Sequence, residues 1–395
     1  MDLTLELTPE QKKLKETARE LGEQFLVNAD EWDAKDLAPI KTMTKKAHEK
    51  GLTGITMPKE YGGNDLTVLE YVLVVEELVR AAKWITAGEV LFRTSGPGPS
   101  VCLLSDNETA KEKFLRGIID GTSGAAITMT EPKYGSAITD LETSAVLDGD
   151  HYIVNGKKRF ITGAVEDELY STFVRFGDTP GAKGIGALMI ERGNPGVSVD
   201  RGPEYIGARG MPHGELTFEN AKVPKENLLI KEGQFSRLMT AFNMERMHNA
   251  TCALALSEAA FDEAKKYCSN RKQFGTAVIN FQAMQHWLAE MWIEIEAQRL
   301  LTYHAAATSN DGKYPKGLEV SIAKAHGVEV APKICQRALQ MHGGDGYTTV
   351  YPVQRLWRDS LVLPLGGGTI QVLKNSIAQW IIPEQKLTRR RGGEK

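Results

Sequence analysis

A chain of 395 residues is too long for one hydrophobic core, so two or three packed subdomains are expected. Charged residues make up 25% and hydrophobic residues 42%, the make-up of a soluble globular protein, and a formal net charge of −3 excludes a broad basic footprint for nucleic acid. No apolar run approaches the roughly 20 residues needed to span a bilayer.

The opening Met1-Asp2-Leu3-Thr4-Leu5-Glu6 has no basic segment followed by an apolar one, so no secretory signal is expected and the protein is read as cytoplasmic. Thr8-Pro9-Glu10-Gln11 then starts a helix: Thr8 caps, Pro9 suits the first turn and Gln11 reaches back. Leu14, Ala18, Leu21 and Phe25 continue it at helical spacing. Tyr61-Gly62-Gly63-Asn64-Asp65 is a turn cluster, and a second periodic run covers Val68 to Val79. In Phe92-Arg93-Thr94-Ser95-Gly96-Pro97-Gly98-Pro99, glycine and proline shorten whatever helix forms.

From about Ala125 to Leu229 the texture turns to strands. His151 to Ile161 reads as two strands joined at Asn155-Gly156, a favoured hairpin turn, with Asp148-Gly149-Asp150 as the turn before it. Further short strands fit Thr172 to Phe176, Gly186 to Ile190, Val197 to Val199 and Gly214 to Phe218. Helical period returns from about Phe235 to Ile382, with Ala250 to Tyr267, Gln282 to Ala307 and Gly317 to Met341 as bundle helices. The tail Arg389 to Lys395 is expected to fray. The expected class is α+β: a helical domain over 1–122, a β-barrel-like domain over 123–232 and a helical bundle over 233–395. Cys102, Cys252, Cys268 and Cys335 are scattered, so buried free thiols are expected, and neither they nor the eight histidines suggest a metal site.

Five segments carry a resemblance. Thr130-Glu131-Pro132-Lys133-Tyr134-Gly135-Ser136 is similar to the T-E-P-x-x-G-S segment of acyl-CoA dehydrogenases. Lys158-Arg159-Phe160-Ile161-Thr162 resembles that family's K-x-[WYF]-I-T strand, and Arg271 to Gly275 followed by Phe281-Gln282 resembles its R-x-x-F-G…Q helix. Gln340 to Tyr347 resembles its Q-x-x-G-G-x-G-[FY] turn, and Tyr351 to Asp359 the run that follows. One such segment is weak; five in family order are specific.

The resemblance implies one FAD per subunit, a homotetramer or less often a dimer, an acyl-CoA substrate and an electron-transfer flavoprotein as partner. It places the Thr162 hydroxyl at the flavin N5 edge, Phe160 over one ring face, Met129 and Thr130 at the pyrimidine edge, and Ser136 near the diphosphate or pantetheine. Taken by itself, Thr162 is an ordinary strand residue; the company of the other segments gives it this role. Arg271, a planar fork suited to phosphate oxygens, would reach the flavin of a neighbouring subunit, along with Gln340, Gly343 and Gly344, and Phe274 and Gln282 would also bind the cofactor. Thr369 and Gln371 match the family's G-T-x-Q on the adenosine side. Ser136, Phe242, Asn243, Arg246 and Gly367 would line the substrate.

The family's usual reaction removes a proton α to a thioester and a hydride from the β carbon. Its base usually sits in a Y-E-G-T segment, but here the stretch is Leu363-Pro364-Leu365-Gly366-Gly367-Gly368-Thr369. Gly367 stands at the glutamate position and offers only an N–H, as an oxyanion donor. A minority of the family resembles L-x-x-E-R on the helix after the β domain, and Met244-Glu245-Arg246 puts Glu245 there. The expected substrate is a compact branched or cyclic acyl-CoA. The alternatives are a 1,4-elimination on an alicyclic ring, an enoyl-CoA reductase with a different acid, or a non-catalytic flavin or CoA-ester binding subunit. Arg93 is read as structural rather than as a reader of a substrate carboxylate.

Overall fold

The structure, a computed structural model, describes residues 6–383. Helices α1 (Pro9–Lys35), α2 (Ile40–Glu49), α3 (Val68–Ala82), α4 (Thr86–Ser95), α5 (Pro97–Leu103) and α6 (Glu108–Ile119) come first. Strands β1 (Ala125–Thr128), β2 (Ser144–Asp148), β3 (His151–Ile161), β4 (Leu169–Phe176), β5 (Ile185–Glu191), β6 (Val197–Arg201), β7 (Gly214–Pro224) and β8 (Leu228–Ile230) follow. The chain continues through α7 (Phe235–Asn270), a short ribbon of β9 (Lys272–Gln273) and β10 (Thr276–Ala277), α8 (Gln282–Ala307), α9 (Gly317–Met341), α10 (Val353–Ser360) and α11 (Ile370–Ile381). The tail expected to fray lies outside the described residues.

Local signals set the helix starts. Thr8 and Gln11 form the anticipated capping box on α1, and Thr67 and Glu70 form another on α3. Tyr71, Val72, Leu73, Val74, Val75, Leu78 and Val79 make α3 largely apolar, and it is buried between α1 and α7, with Glu76 and Glu77 paired to Lys15 and Arg19 on α1. The stretch of α7 from Ala250 to Ala260 is mostly small residues, which lets α9 and α3 approach closely. Helices from both ends of the chain therefore share one core.

The sheet runs β6-β7-β3-β2-β4-β5-β8, with β1 parallel to β4. The expected turn at Asn155-Gly156 is not there: β3 is one strand, and the hairpin to β2 turns at Asp148-Gly149-Asp150. Gly156, at φ +151, instead marks a slip of register against β7, and a Cβ on it would stand 2.6 Å from Thr143 Cα. An Asn-Gly pair serves a bulge as well as a turn, and pairing with β2 and β7 on both sides decided between them. All four cysteines are buried and free. No helix among the described residues is long and apolar enough to cross a membrane.

Gly96 separates α4 from α5, and Pro97 opens α5. Arg93 on α4 is fully buried: its Nη2 lies 2.5 Å from Asp167 Oδ1 and its Nη1 donates to Thr44 Oγ1 at 3.1 Å. It clamps the helical layer to the sheet and is not free to read a substrate. Arg93→Ala leaves Asp167 as a buried lone carboxyl, so it is expected to cost about 3–5 kcal/mol. Urea unfolding measures this, and a midpoint unchanged from wild type would refute the clamp.

Candidate active site

Where α4, α7, the end of β3 and the loop before α11 converge, they enclose a cavity of about 70 Å³. Helical spacing supplies its wall: Glu245, His248 and Asn249 lie three and four residues apart on one face of α7, and Glu89 and Phe92 on one face of α4. Thr162 enters from the end of β3, Met211 and His213 from the loop before β7, and Gly366 from the loop before α11.

Glu245 and Gly367, over a hundred residues apart in sequence, meet here. A Cβ built on Gly367 would stand 2.8 Å from Glu245 Cγ, 2.7 Å from Lys324 Nζ and 2.5 Å from Asn249 Nδ2. Gly367 also has φ +66, which a side chain rarely adopts. The space a residue-367 side chain would take is thus already filled by Glu245 and its neighbours. Asn249 Nδ2 donates to Glu245 Oε1 at 3.3 Å and reaches Gly366 O at 3.5 Å. Burial pushes the Glu245 carboxyl above its ordinary range; Lys324 opposes this, Glu89 adds to it, and His248 and Asn249 oppose it more weakly.

Two histidines and a lysine join the site that the sequence reading passed over. His248 Nδ1 is 2.9 Å from Tyr71 Oη, and its Nε2 is 3.7 Å from Glu89 Oε1. His213 stacks on Tyr205 at 4.2 Å, and burial lowers its pKa to about 4, which keeps it neutral. Lys324 shares a buried face of α9 with Val320, Ala323, Gly327 and Val328. Their signals were helical spacing from Glu245 for His248 and an inward register for Lys324.

Of the other expected residues, Phe242 and Asn243 are buried beside Glu245 on α7. Asn243 Nδ2 donates to Pro315 O and its Oδ1 accepts from Arg246 Nη1, both at 3.1 Å, while the buried Arg246 Nε has no partner. The Met129-Thr130-Glu131 segment is tied to β3: Lys158 Nζ donates to Met129 O and Glu131 Oε1, and Arg159 N to Thr130 O. Phe160 sits at φ +60 with half its surface exposed, two residues before the Thr162 that lines the cavity. A large aromatic ring held strained and open beside the cavity fits a flat ring stacked on it. Ser136 is exposed on the loop after β1.

Arg271, Phe274, Gln282, Gln340, Gly343 and Gly344 are exposed at the opposite end of the bundle. Along α7, Arg271 lies roughly 39 Å beyond Glu245 at 1.5 Å per residue. One chain does not bring this set to the cavity. Thr369 caps α11 by accepting from Val372 N, and Gln371 is exposed in the first turn of that helix.

Three family models match the chain: "Acyl-CoA dehydrogenase, N-terminal domain" over residues 8–122, "middle domain" over 126–221 and "C-terminal domain" over 235–382. Among curated proteins it is 36% identical over 370 residues to "Acyl-CoA dehydrogenase, short-chain specific" of Clostridium acetobutylicum, covering 93% of this chain and 97% of that one. It is 34% identical over 375 residues to "Caffeyl-CoA reductase-Etf complex subunit CarC" of Acetobacterium woodii, covering 94% and 98%. Among solved structures, butyryl-CoA dehydrogenase from Megasphaera elsdenii superposes with a TM-score of 0.91 at 32% identity, covering 96% of this chain and all of that one.

Proposed function

The chain belongs to the acyl-CoA dehydrogenase family, FAD-dependent oxidoreductases acting on CH–CH bonds, and from that premise we propose that it dehydrogenates a compact branched or cyclic acyl-CoA thioester with Glu245 as base. The observation that carries this is the position of Glu245, whose stem stands beside the missing side chain of Gly367 and whose carboxyl lines the cavity.

The proton α to a thioester is far too weakly acidic for an unaided carboxylate. In this reading the Gly367 N–H donates to the thioester oxygen and stabilises the developing enolate, while Glu245 takes the proton. Burial raises the proton affinity of Glu245 toward that task. FAD, when bound, supplies the hydride acceptor. Met129, Thr130, Phe160 and Thr162 would hold its ring, and Ser136 the diphosphate or pantetheine. Arg271, Phe274, Gln282, Gln340, Gly343 and Gly344 would reach the cofactor of another copy in a homotetramer or dimer, with Thr369 and Gln371 on the adenosine side. Phe242, Asn243 and Arg246 would line the CoA ester.

The small cavity supports a compact acyl group, since a long straight chain needs a longer tunnel. An electron-transfer flavoprotein is the proposed partner, supported by the relative named as a subunit of an Etf complex. A second reading, an enoyl-CoA reductase or a ring-type elimination, is favoured by one observation: Glu89 shares the cavity and offers a second acid.

Anaerobic mixing with linear, α-branched and cyclic acyl-CoA esters tests the proposal through bleaching of the flavin. Branched or cyclic esters are expected to react fastest. Faster reduction by octanoyl- or palmitoyl-CoA would overturn the substrate class. No bleaching by any ester would favour a non-catalytic binding subunit.

A further inference from the structure

Burying an ammonium is costly unless its charge and its donors are both met. Lys324 is completely buried. Its donors go to Gly366 O and, at 3.0 Å, to Gly368 O, so one side chain grips the loop on both sides of Gly367. Carbonyls accept hydrogen bonds but do not neutralise a charge. Nζ and Glu245 Cγ flank the same point, the place of the absent Gly367 Cβ, so they are within roughly 6 Å of each other.

We propose that Lys324 is the positioning residue of this site, fixing the triglycine loop against Glu245 and, by its charge, favouring the ionised form of that carboxyl. The second half rests on the reading of Glu245 as base. Every charged or titratable group facing Glu245 takes part in the balance. Arg246 and His248 share α7 with it, Glu89 faces it from α4, His213 from the loop before β7, and Lys324 from α9. Burial drives Glu245 toward its neutral form and Lys324 toward its own; each group's charge holds the other ionised. His213 is neutral, and Glu89 works against Glu245 ionisation. The lysine ammonium is the strongest opposition to that burial effect.

Three substitutions separate the two duties. Lys324→Gln keeps donors for the loop carbonyls and loses the charge; Lys324→Arg keeps the charge; Lys324→Met loses both. The direct readout is the carboxyl stretch of Glu245 in infrared difference spectra against pH, identified by its loss in Glu245→Gln. In Lys324→Gln its midpoint is expected to rise by about 1–3 pH units, while Lys324→Arg stays near wild type. The ascending limb of flavin reduction against pH should move with it, and Lys324→Met should lose rate at every pH as well. A wild-type carboxyl midpoint in Lys324→Gln overturns the charge role, because a merely structural lysine would lower the rate without moving it. If Lys324→Gln does not fold, the double variant Glu245→Gln with Lys324→Gln, which leaves no lone buried charge, carries the test. It should fold where Lys324→Gln does not, whereas failure of the double variant to fold as well would overturn the pairing. Should Glu245→Gln bleach at the wild-type rate, the base reading fails, yet the carboxyl titration still reports on Lys324.

Discussion

Glu245→Gln is expected to keep FAD and to bind CoA esters, yet to reduce its flavin about 10²–10⁴-fold more slowly, the usual cost of losing a positioned base. The change is nearly isosteric, so Asn249 keeps a partner at position 245 and the cavity keeps its shape. What disappears is a group able to hold a proton. Gly367 offers no replacement, because it has no side chain to hold a proton. Glu89 lines the same cavity from α4, and its Oε1 lies 3.7 Å from His248 Nε2. Stopped-flow reduction with the best ester, beside equilibrium binding of a non-reacting CoA thioether, separates chemistry from binding. A variant that reduces its flavin at nearly the wild-type rate would move the search to Glu89 and to the ring-type elimination.

Gly367→Glu would put a second carboxylate beside Glu245, and it is expected to harm this enzyme. At φ +66 a side chain brings strain of roughly 1–3 kcal/mol. Its Cβ would press on Asn249 Nδ2, Lys324 Nζ and Glu245 Cγ, all within 2.8 Å, so the loop or α7 must shift. Displacing a base by about 1 Å costs on the order of 10²-fold in rate. Two carboxyls at one spot would also raise each other's proton affinity, leaving one of them protonated. Glu245→Gly with Gly367→Glu removes one of the three obstacles and should react faster than Glu245→Gly alone on a small linear ester. Lys324 and Asn249 remain in the way, so recovery should be partial. Single-turnover rates for the four proteins form a complete cycle. Wild-type speed in Gly367→Glu would mean that the site accommodates both glutamates, against the geometry.

Much of the architecture is legible without coordinates because its signals are local. Thr8 with Gln11 caps α1 by contacts three residues apart, and the bounds of α8 and α9 follow from apolar period alone. The five motif segments named the family, and the same comparison exposed the glycine at 367. What the sequence could not decide depends on residues far apart along the chain. Asn155-Gly156 carries a turn signal, yet pairing with both β2 and β7, and Thr143 against Gly156, made it a bulge within one strand. Arg93 had no visible partner until folding set it against Asp167, 74 residues away. Lys324 reads as one helix residue among others; only the packing of α9 on α7 and on the triglycine loop set it beside Glu245. Periodicity tells which face of a helix is buried, but not what it will meet there, because that is settled by the packing of whole elements. The candidate site is made at such a meeting, where a glutamate from one helix occupies the space beside a glycine on a distant loop.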